Sequence, residues 1–275
     1  MRDSDFEFIR TLVYERSRIS LDSSKRELVG ARVAKRLRVH RMESVTDYCR
    51  MLRDPGQETE RVRLIDVIST NHTFFFREAE HFSFTARTIV PEMLRRSRAE
   101  PWPRLRAWSA ACSSGEEPYS LAITLAEELR TAGWGWRVEA TDISHPVLDK
   151  ARLGIYPAEA VDHSVPPWAR VYFLRGVGPQ EGMRRVRPAI RAGVAFRQLN
   201  LLEGSADPGP FHVIFCRNVM IYFDRTTQNE LVRRLADRLI PGGYLLVGHS
   251  ETLTGIDHSL EPVLASVYRR PGGPR

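Results

Sequence analysis

The sequence predicts a doubly wound α/β domain that carries a small inserted antiparallel β-subdomain and follows an N-terminal helical domain. Three observations predict it. From residue 105 onward, short apolar strands alternate with helices, the pattern of a mostly parallel sheet covered on both faces. Residues 155–193 interrupt that alternation with two strand-like runs around a glycine-rich loop. The chain before residue 90 carries helical periodicity instead. The expected division is 1–90 for the helical domain and linker and 91–275 for the α/β domain, with 155–193 inserted within it.

The elements follow in order. Ser24-Lys25-Arg26-Glu27 has the form of a capping box. On the helix after it, Val29, Val33 and Leu37 share one stripe, and Lys25, Arg32 and Arg36 share a basic one. Helices are predicted over Val45 to Leu52 and Glu58 to Ile68, separated by an Asp54-Pro55-Gly56 turn. Pro101-Trp102-Pro103 reads as the break before the second domain. Strands are predicted from Leu105 to Ala111, Trp136 to Thr141, Val194 to Leu199, His212 to Cys216 and Tyr244 to Gly248, with a closing hairpin near Ala265 to Arg269. Helices over Tyr119 to Leu129, Pro146 to Arg152 and Gln228 to Leu239 lie between them. The insert pairs Val171 to Leu174 with Met183 to Val186 around three glycines, which admit unusual backbone torsions.

Hydrophobic residues make up 42% of the 275 and charged residues 27%, enough for a full core and against disorder. No apolar run reaches about 18 residues, and acids at Asp3 and Asp5 stand where a secretory signal has its apolar stretch. Cys49, Cys112 and Cys216 form no CxxC pair, so no metal site or disulfide framework is expected. These features point to a cytoplasmic protein with no direct membrane insertion. The net charge of +7 suggests nucleic acid, but only three of the 41 basic residues are lysine, a skew that resembles coding bias. The charge concentrates in residues 25–41 and 170–197, each with seven basic residues and one acid. Two such segments read either as sites for an acidic partner or as solvated faces.

In an open α/β sheet, ligands bind beyond the carboxyl ends of the strands. The first strand leads there into Cys112-Ser113-Ser114-Gly115-Glu116-Glu117, and the others into Asp142, Asn200 and Arg217-Asn218. Asp142 is placed to accept hydrogen bonds from a ribose, or to cap the next helix. The first turn has one glycine and two acids, which suits a pyrophosphate poorly and so argues against NAD and FAD. S-adenosylmethionine, with a sulfonium, an ammonium and no phosphate, fits an acidic turn. There is no GxSxG elbow and no Walker loop.

Four motifs, in order along the chain, carry a resemblance that runs from about Phe6 to Tyr268. The first motif is Thr70-Asn71-His72-Thr73-Phe74-Phe75-Phe76-Arg77-Glu78, and the second is Trp108-Ser109-Ala110-Ala111-Cys112-Ser113-Ser114-Gly115-Glu116-Glu117-Pro118-Tyr119-Ser120. The third is Phe215-Cys216-Arg217-Asn218-Val219-Met220-Ile221-Tyr222-Phe223-Asp224, and the fourth Pro241-Gly242-Gly243-Tyr244 with Gly248-His249-Ser250-Glu251. Together they resemble the chemotaxis protein methyltransferases, the CheR family. His72 and Cys112 depart from the residues usual there without removing a needed group.

The resemblance implies an S-adenosylmethionine-dependent, Rossmann-like methyltransferase domain. It implies a protein-glutamate O-methyltransferase that acts on cytoplasmic helices of chemoreceptors in sensory adaptation and releases S-adenosylhomocysteine. It further implies a monomer whose β-subdomain docks a receptor C-terminal tail, with no nucleic-acid partner and no metal. Cofactor contacts carry over to Asn71, Thr73, Arg77, Glu117, Asp142, Asn200, Leu201, Arg217 and Asn218, with Arg77 and Tyr222 nearest the chemistry. A glutamate is already ionised at neutral pH and needs no general base. Arg77 suits a carboxylate, though an ion pair with Glu78 or Glu80 is the plainer reading; Tyr222 suits a hydrogen bond to substrate or ordinary packing. A nucleic-acid methyltransferase and a catalytically silent adaptor remain as alternatives.

Overall fold

The computed structural model describes residues 1–69, 72–100, 102–203 and 209–272. The chain divides into two compact units, Met1–Asn71 with Tyr222–Thr227, and His72–Ile221 with Gln228–Arg275.

The first unit is helical: α1 (Asp3–Ser17), α2 (Arg26–His40), α3 (Val45–Arg53) and α4 (Glu58–Ile68). Each helix buries one stripe, and Ile9, Val13, Val29, Val33, Leu52 and Leu64 are at most 1% exposed. The expected capping box does not form. Asp22 instead accepts from the Ser24 N–H at 2.8 Å and caps a short 3-10 turn, Ser23–Lys25, that leads into α2. The basic stripe is also largely internal. Arg32 donates to the Val67 carbonyl at the end of α4, a favourable place for a cation, and Arg36 pairs with the buried Glu60. Lys25 alone of the three is exposed. Tyr222–Thr227 joins this unit through Ser20 N–H on the Tyr222 carbonyl, 2.8 Å, and Tyr14 hydroxyl on Asp224, 2.6 Å.

The second unit begins well before residue 91. Helix α5 (Ala79–Phe84) continues through a π turn, Thr85–Ile89, into α6 (Val90–Arg96). Pro91 explains the turn, because it lacks an N–H and its ring crowds the carbonyl four residues back. Phe82, Ile89, Val90 and Met93 lie in the core of this unit. Trp102, expected at a domain break, packs edge-on against His212 at 4.6 Å; Pro101 lies outside the described residues.

The large sheet contains β1 (Arg104–Ala110), β2 (Gly135–Asp142), β6 (Val194–Gln198), β7 (Phe211–Cys216), β8 (Leu239–Val247), β9 (Glu261–Leu264) and β10 (Val267–Arg269), in the order β6-β2-β1-β7-β8-β10-β9. The first five are parallel, and β10 and β9 close the sheet antiparallel. The chain moves outward from β1 to β6, then returns to the other side of β1, so the order reverses between β1 and β7. Helices α7 (Glu116–Glu128), α8 (His145–Leu153), α10 (Pro188–Ala192) and α11 (Arg225–Asp237) lie between strands of this sheet, and α9 (Ala158–Ser164) belongs to the insert.

The insert is a three-stranded antiparallel sheet, β3-β5-β4, from β3 (Ile155–Pro157), β4 (Phe173–Arg175) and β5 (Met183–Val186). Sequence reasoning missed β3, which is too short to show alternation. Gly176 is required in the loop, since a Cβ there would collide with the Gln180 carbonyl. Most arginines of the second basic segment are also engaged within the fold: Arg170 and Arg187 on carbonyls, Arg184 on Asp162, and Arg197 on Glu139. Arg175 and Arg185 are exposed.

Candidate active site

The turn after β1 winds tightly. Ala111, Ser113 and Gly115 have φ of 64°, 50° and 98°. A Cβ on Gly115 would sit 2.8 Å from both Ala151 Cβ and the Tyr156 hydroxyl, so glycine is needed for fit as well as torsion. Cys112 N–H donates to the Thr141 carbonyl at 2.8 Å, which ties the turn to the end of β2. Cys112 is buried, and burial pushes its thiol pKa up, so it is no nucleophile.

Asp142 ends β2 at 6% exposure. Its Oδ2 accepts from Ser113 N–H at 2.8 Å and its Oδ1 from Ser144 N–H at 2.9 Å. It thus braces the first turn and the entry to α8 together. Leu199 N–H donates to the Asp142 carbonyl at 2.9 Å, which brings Asn200 and Leu201 to the same strand ends. Asn200 accepts from Leu202 N–H at 3.2 Å.

Arg217 follows β7 with its side chain fully buried. It reaches Glu78 at 2.8 Å, Glu117 at 3.2 Å and the Arg77 carbonyl at 2.5 Å. Its Nε–H has no hydrogen-bond partner among the described residues. Glu117 also accepts from the Ser109 hydroxyl at 2.7 Å, and burial raises its pKa. Glu78 is pulled the other way. Burial would raise it, but hydrogen bonds and charge from Arg217, with the Asn218 amide, hold it below the usual range. Asn218 has a φ of 57°, and its N–H donates to Glu251 at 2.8 Å. Glu251 accepts as well from Met220 and Gly248 N–H groups, while burial raises its pKa.

Thr73 and Arg77 lie on the loop before α5, both partly exposed. Arg77 donates to the His72 carbonyl at 2.9 Å and covers the Phe74 ring. The alternative reading, an ion pair of Arg77 with Glu78 or Glu80, is not met among the described residues; Glu78 pairs with Arg217. Phe75 and Phe76 are core, whereas Phe74 is 42% exposed. Asn71 lies outside the described residues. Tyr222, partly exposed, ends a 3-10 turn at Met220–Tyr222 and belongs to the first unit. Sequence reasoning missed Glu78 and Glu251 as organisers, although both stand inside the quoted motifs; only their partners, 139 and 33 residues away, reveal the roles.

The sheet order reverses beside a turn with acids in place of a phosphate loop and a buried guanidinium whose Nε–H has no partner among the described residues, an arrangement that suits S-adenosylmethionine. That N–H suits the carboxylate of the cofactor's methionine portion. The family description "CheR methyltransferase, SAM binding domain" matches residues 71–268, and "CheR methyltransferase, all-alpha domain" matches residues 4–69. The chain belongs to the CheR methyltransferase family. It is 44% identical to the chemotaxis protein methyltransferase of Salmonella typhimurium over 257 residues, 93% of this chain and 86% of that protein. It is likewise 44% identical to the Escherichia coli protein of that name over 258 residues, 94% of this chain and 87% of that one. With chemotaxis protein methyltransferase 2 of Pseudomonas aeruginosa it shares 42% over 266 residues, 96% and 92% of the two chains. Among the described residues no helix is long and apolar enough to cross a membrane.

Proposed function

We propose that this chain methylates glutamate side chains on the cytoplasmic helices of chemoreceptors, giving glutamate methyl esters and S-adenosylhomocysteine. The observation that carries this reading is the commitment of the buried and half-buried carboxylates. Glu78, Glu117, Asp142 and Glu251 each already accept hydrogen bonds from named groups. A hydroxyl or amine substrate needs a base to take its proton, whereas a glutamate arrives ionised.

When bound, the cofactor supplies an electrophilic methyl on sulfur. Arg217, Glu117 and Asn218 would hold its amino-acid portion, Asp142 its ribose, and Asn200, Leu201 and Thr73 would complete its contacts, with Asn71 carried over from the family resemblance. Arg77 orients a carboxylate through the N–H groups that His72 does not use. Tyr222 positions the substrate carboxylate by a hydrogen bond weak enough to leave the oxygen nucleophilic. Alignment and exclusion of water then lower the barrier, a contribution on the order of 7–11 kcal/mol for well-oriented reactants.

The insert is assigned to tethering. β4 is an edge strand with Leu174 and Arg175 exposed, and Val177 beyond it is 78% exposed. An extended receptor tail adding to that edge would raise the local substrate concentration without touching the methylated glutamate. The test is transfer of labelled methyl to receptor fragments, their Glu→Gln variants and RNA. Base-labile label on the receptor fragments alone is expected; label on RNA or on the Gln variants overturns the reading.

A further inference from the structure

The insert reaches the turn after β1 through one hydroxyl. Tyr156, the middle residue of β3, is 5% exposed. Its hydroxyl donates to the Ser114 carbonyl at 2.8 Å. That carbonyl lies outside the ladder of α7, where the Gly115 carbonyl accepts from Tyr119 N–H at 3.1 Å. Its donor therefore comes from outside the helix, and Tyr156 supplies it. Burial pushes the Tyr156 pKa well up, so the phenol keeps the hydrogen it gives.

The turn needs holding. Ser113 and Gly115 have φ of 50° and 98°, and a side-chain-bearing residue stays in that region only where its neighbours fix it. Asp142 pins the turn at Ser113 N–H, and Tyr156 pins it one residue later. The Tyr156 ring also meets Phe75 edge-on at 4.8 Å, and Phe75 meets Phe173 of β4 edge-on at 5.2 Å. Phe75 is 1% exposed and stands between Thr73 and Arg77. Two strands of the insert thus support both the turn and the loop before α5. On the reading that this turn lines the cofactor pocket, we propose that Tyr156 is a positioning residue for S-adenosylmethionine. Its hydroxyl fixes the Ser113–Gly115 turn in the shape that binds the cofactor, so the insert braces the pocket as well as presenting an edge.

Tyr156→Phe removes the hydroxyl and keeps the ring against Phe75. In the full chain it should weaken S-adenosylhomocysteine binding about 10-fold by calorimetry and raise the S-adenosylmethionine KM alike. At saturating cofactor, kcat with receptor fragments should stay within about twofold. A merely structural tyrosine would lower the melting temperature and leave that KM alone. Val186→Ala, in the buried core of the insert, is the control; it should lower the melting temperature with the KM unchanged. Wild-type cofactor affinity in Tyr156→Phe overturns the proposal, as does an equal rise of KM in Val186→Ala. Asp142→Ala, measured alongside, separates the proposal from the reading beneath it. Weakened binding there, with none lost in Tyr156→Phe, removes the brace and spares the pocket; unchanged binding in both removes the two together.

Discussion

Arg36 in the helical unit and Arg217 in the α/β unit both meet buried carboxylates, yet they use their donors differently. Arg36 makes a two-pronged contact with one partner, Nε on Glu60 Oε1 at 2.8 Å and Nη2 on Oε2 at 2.7 Å, and Tyr48 adds a third bond at 2.7 Å. Arg217 divides itself between Glu78 and Glu117 and leaves Nε–H without a partner among the described residues. A closed pair holds helices together. An open one joins segments at the strand ends and, on the proposed reading, keeps a donor for the cofactor. The residue types are the same, so composition cannot tell the two apart.

The comparison breaks most sharply at Arg217. Arg217→Ala leaves two partly buried carboxylates without a counter-charge, and loss of one partner of such a pair costs about 3 kcal/mol. Calorimetry should find no S-adenosylhomocysteine binding, together with a lower melting temperature. Binding at wild-type affinity would make Arg217 a second Arg36.

Arg36→Ala should destabilise the helical unit by about 3 kcal/mol in denaturant unfolding while cofactor affinity stays within about twofold. A cofactor defect of similar size would blur the contrast. The same pair predicts a pH slope. Burial would raise the Glu60 pKa, but Arg36, His40 and Tyr48 hold it down to about 2 from 4.5. A depressed folded pKa gives stability that is present above pH 4.5 and lost as pH falls toward 2. Acid titration of unfolding should show that loss in the wild type and a smaller one in Arg36→Ala.

Asp142→Ala should weaken S-adenosylhomocysteine binding by about 1–3 kcal/mol, since the ribose and two backbone N–H groups lose their acceptor. Unchanged affinity by calorimetry would put the ribose elsewhere. The smallest effect belongs to the exposed Lys25 and Lys35. Reversing both should change stability by no more than about 0.5 kcal/mol and leave cofactor binding intact, while KM for receptor fragments rises. An unaltered KM would mark this as a merely solvated face.

Much of the fold was legible because its signals are local. The alternation of strands and helices, the strand-end position of Asp142 and the acidic turn at Gly115 all follow from neighbours in the chain. The basic stripe misled for the opposite reason: charge along α2 was readable, but Glu60 and the end of α4, where Arg36 and Arg32 are used, lie 24 and 35 residues away. The capping box failed on a nearer competitor, Asp22, whose short side chain took the Ser24 N–H first.

The sequence by itself determined the helical and α/β parts, the insert and the residues at the strand ends, because hydrophobic periodicity and turn chemistry act over a few residues. Only the tertiary structure decided that Glu78 serves Arg217 rather than Arg77, that Glu251 gathers three backbone N–H groups, and that His81 and His249 stand edge-on beside Glu78. Those relations join segments far apart in the chain, and in a buried site the partner that arrives across that distance sets each group's charge and proton.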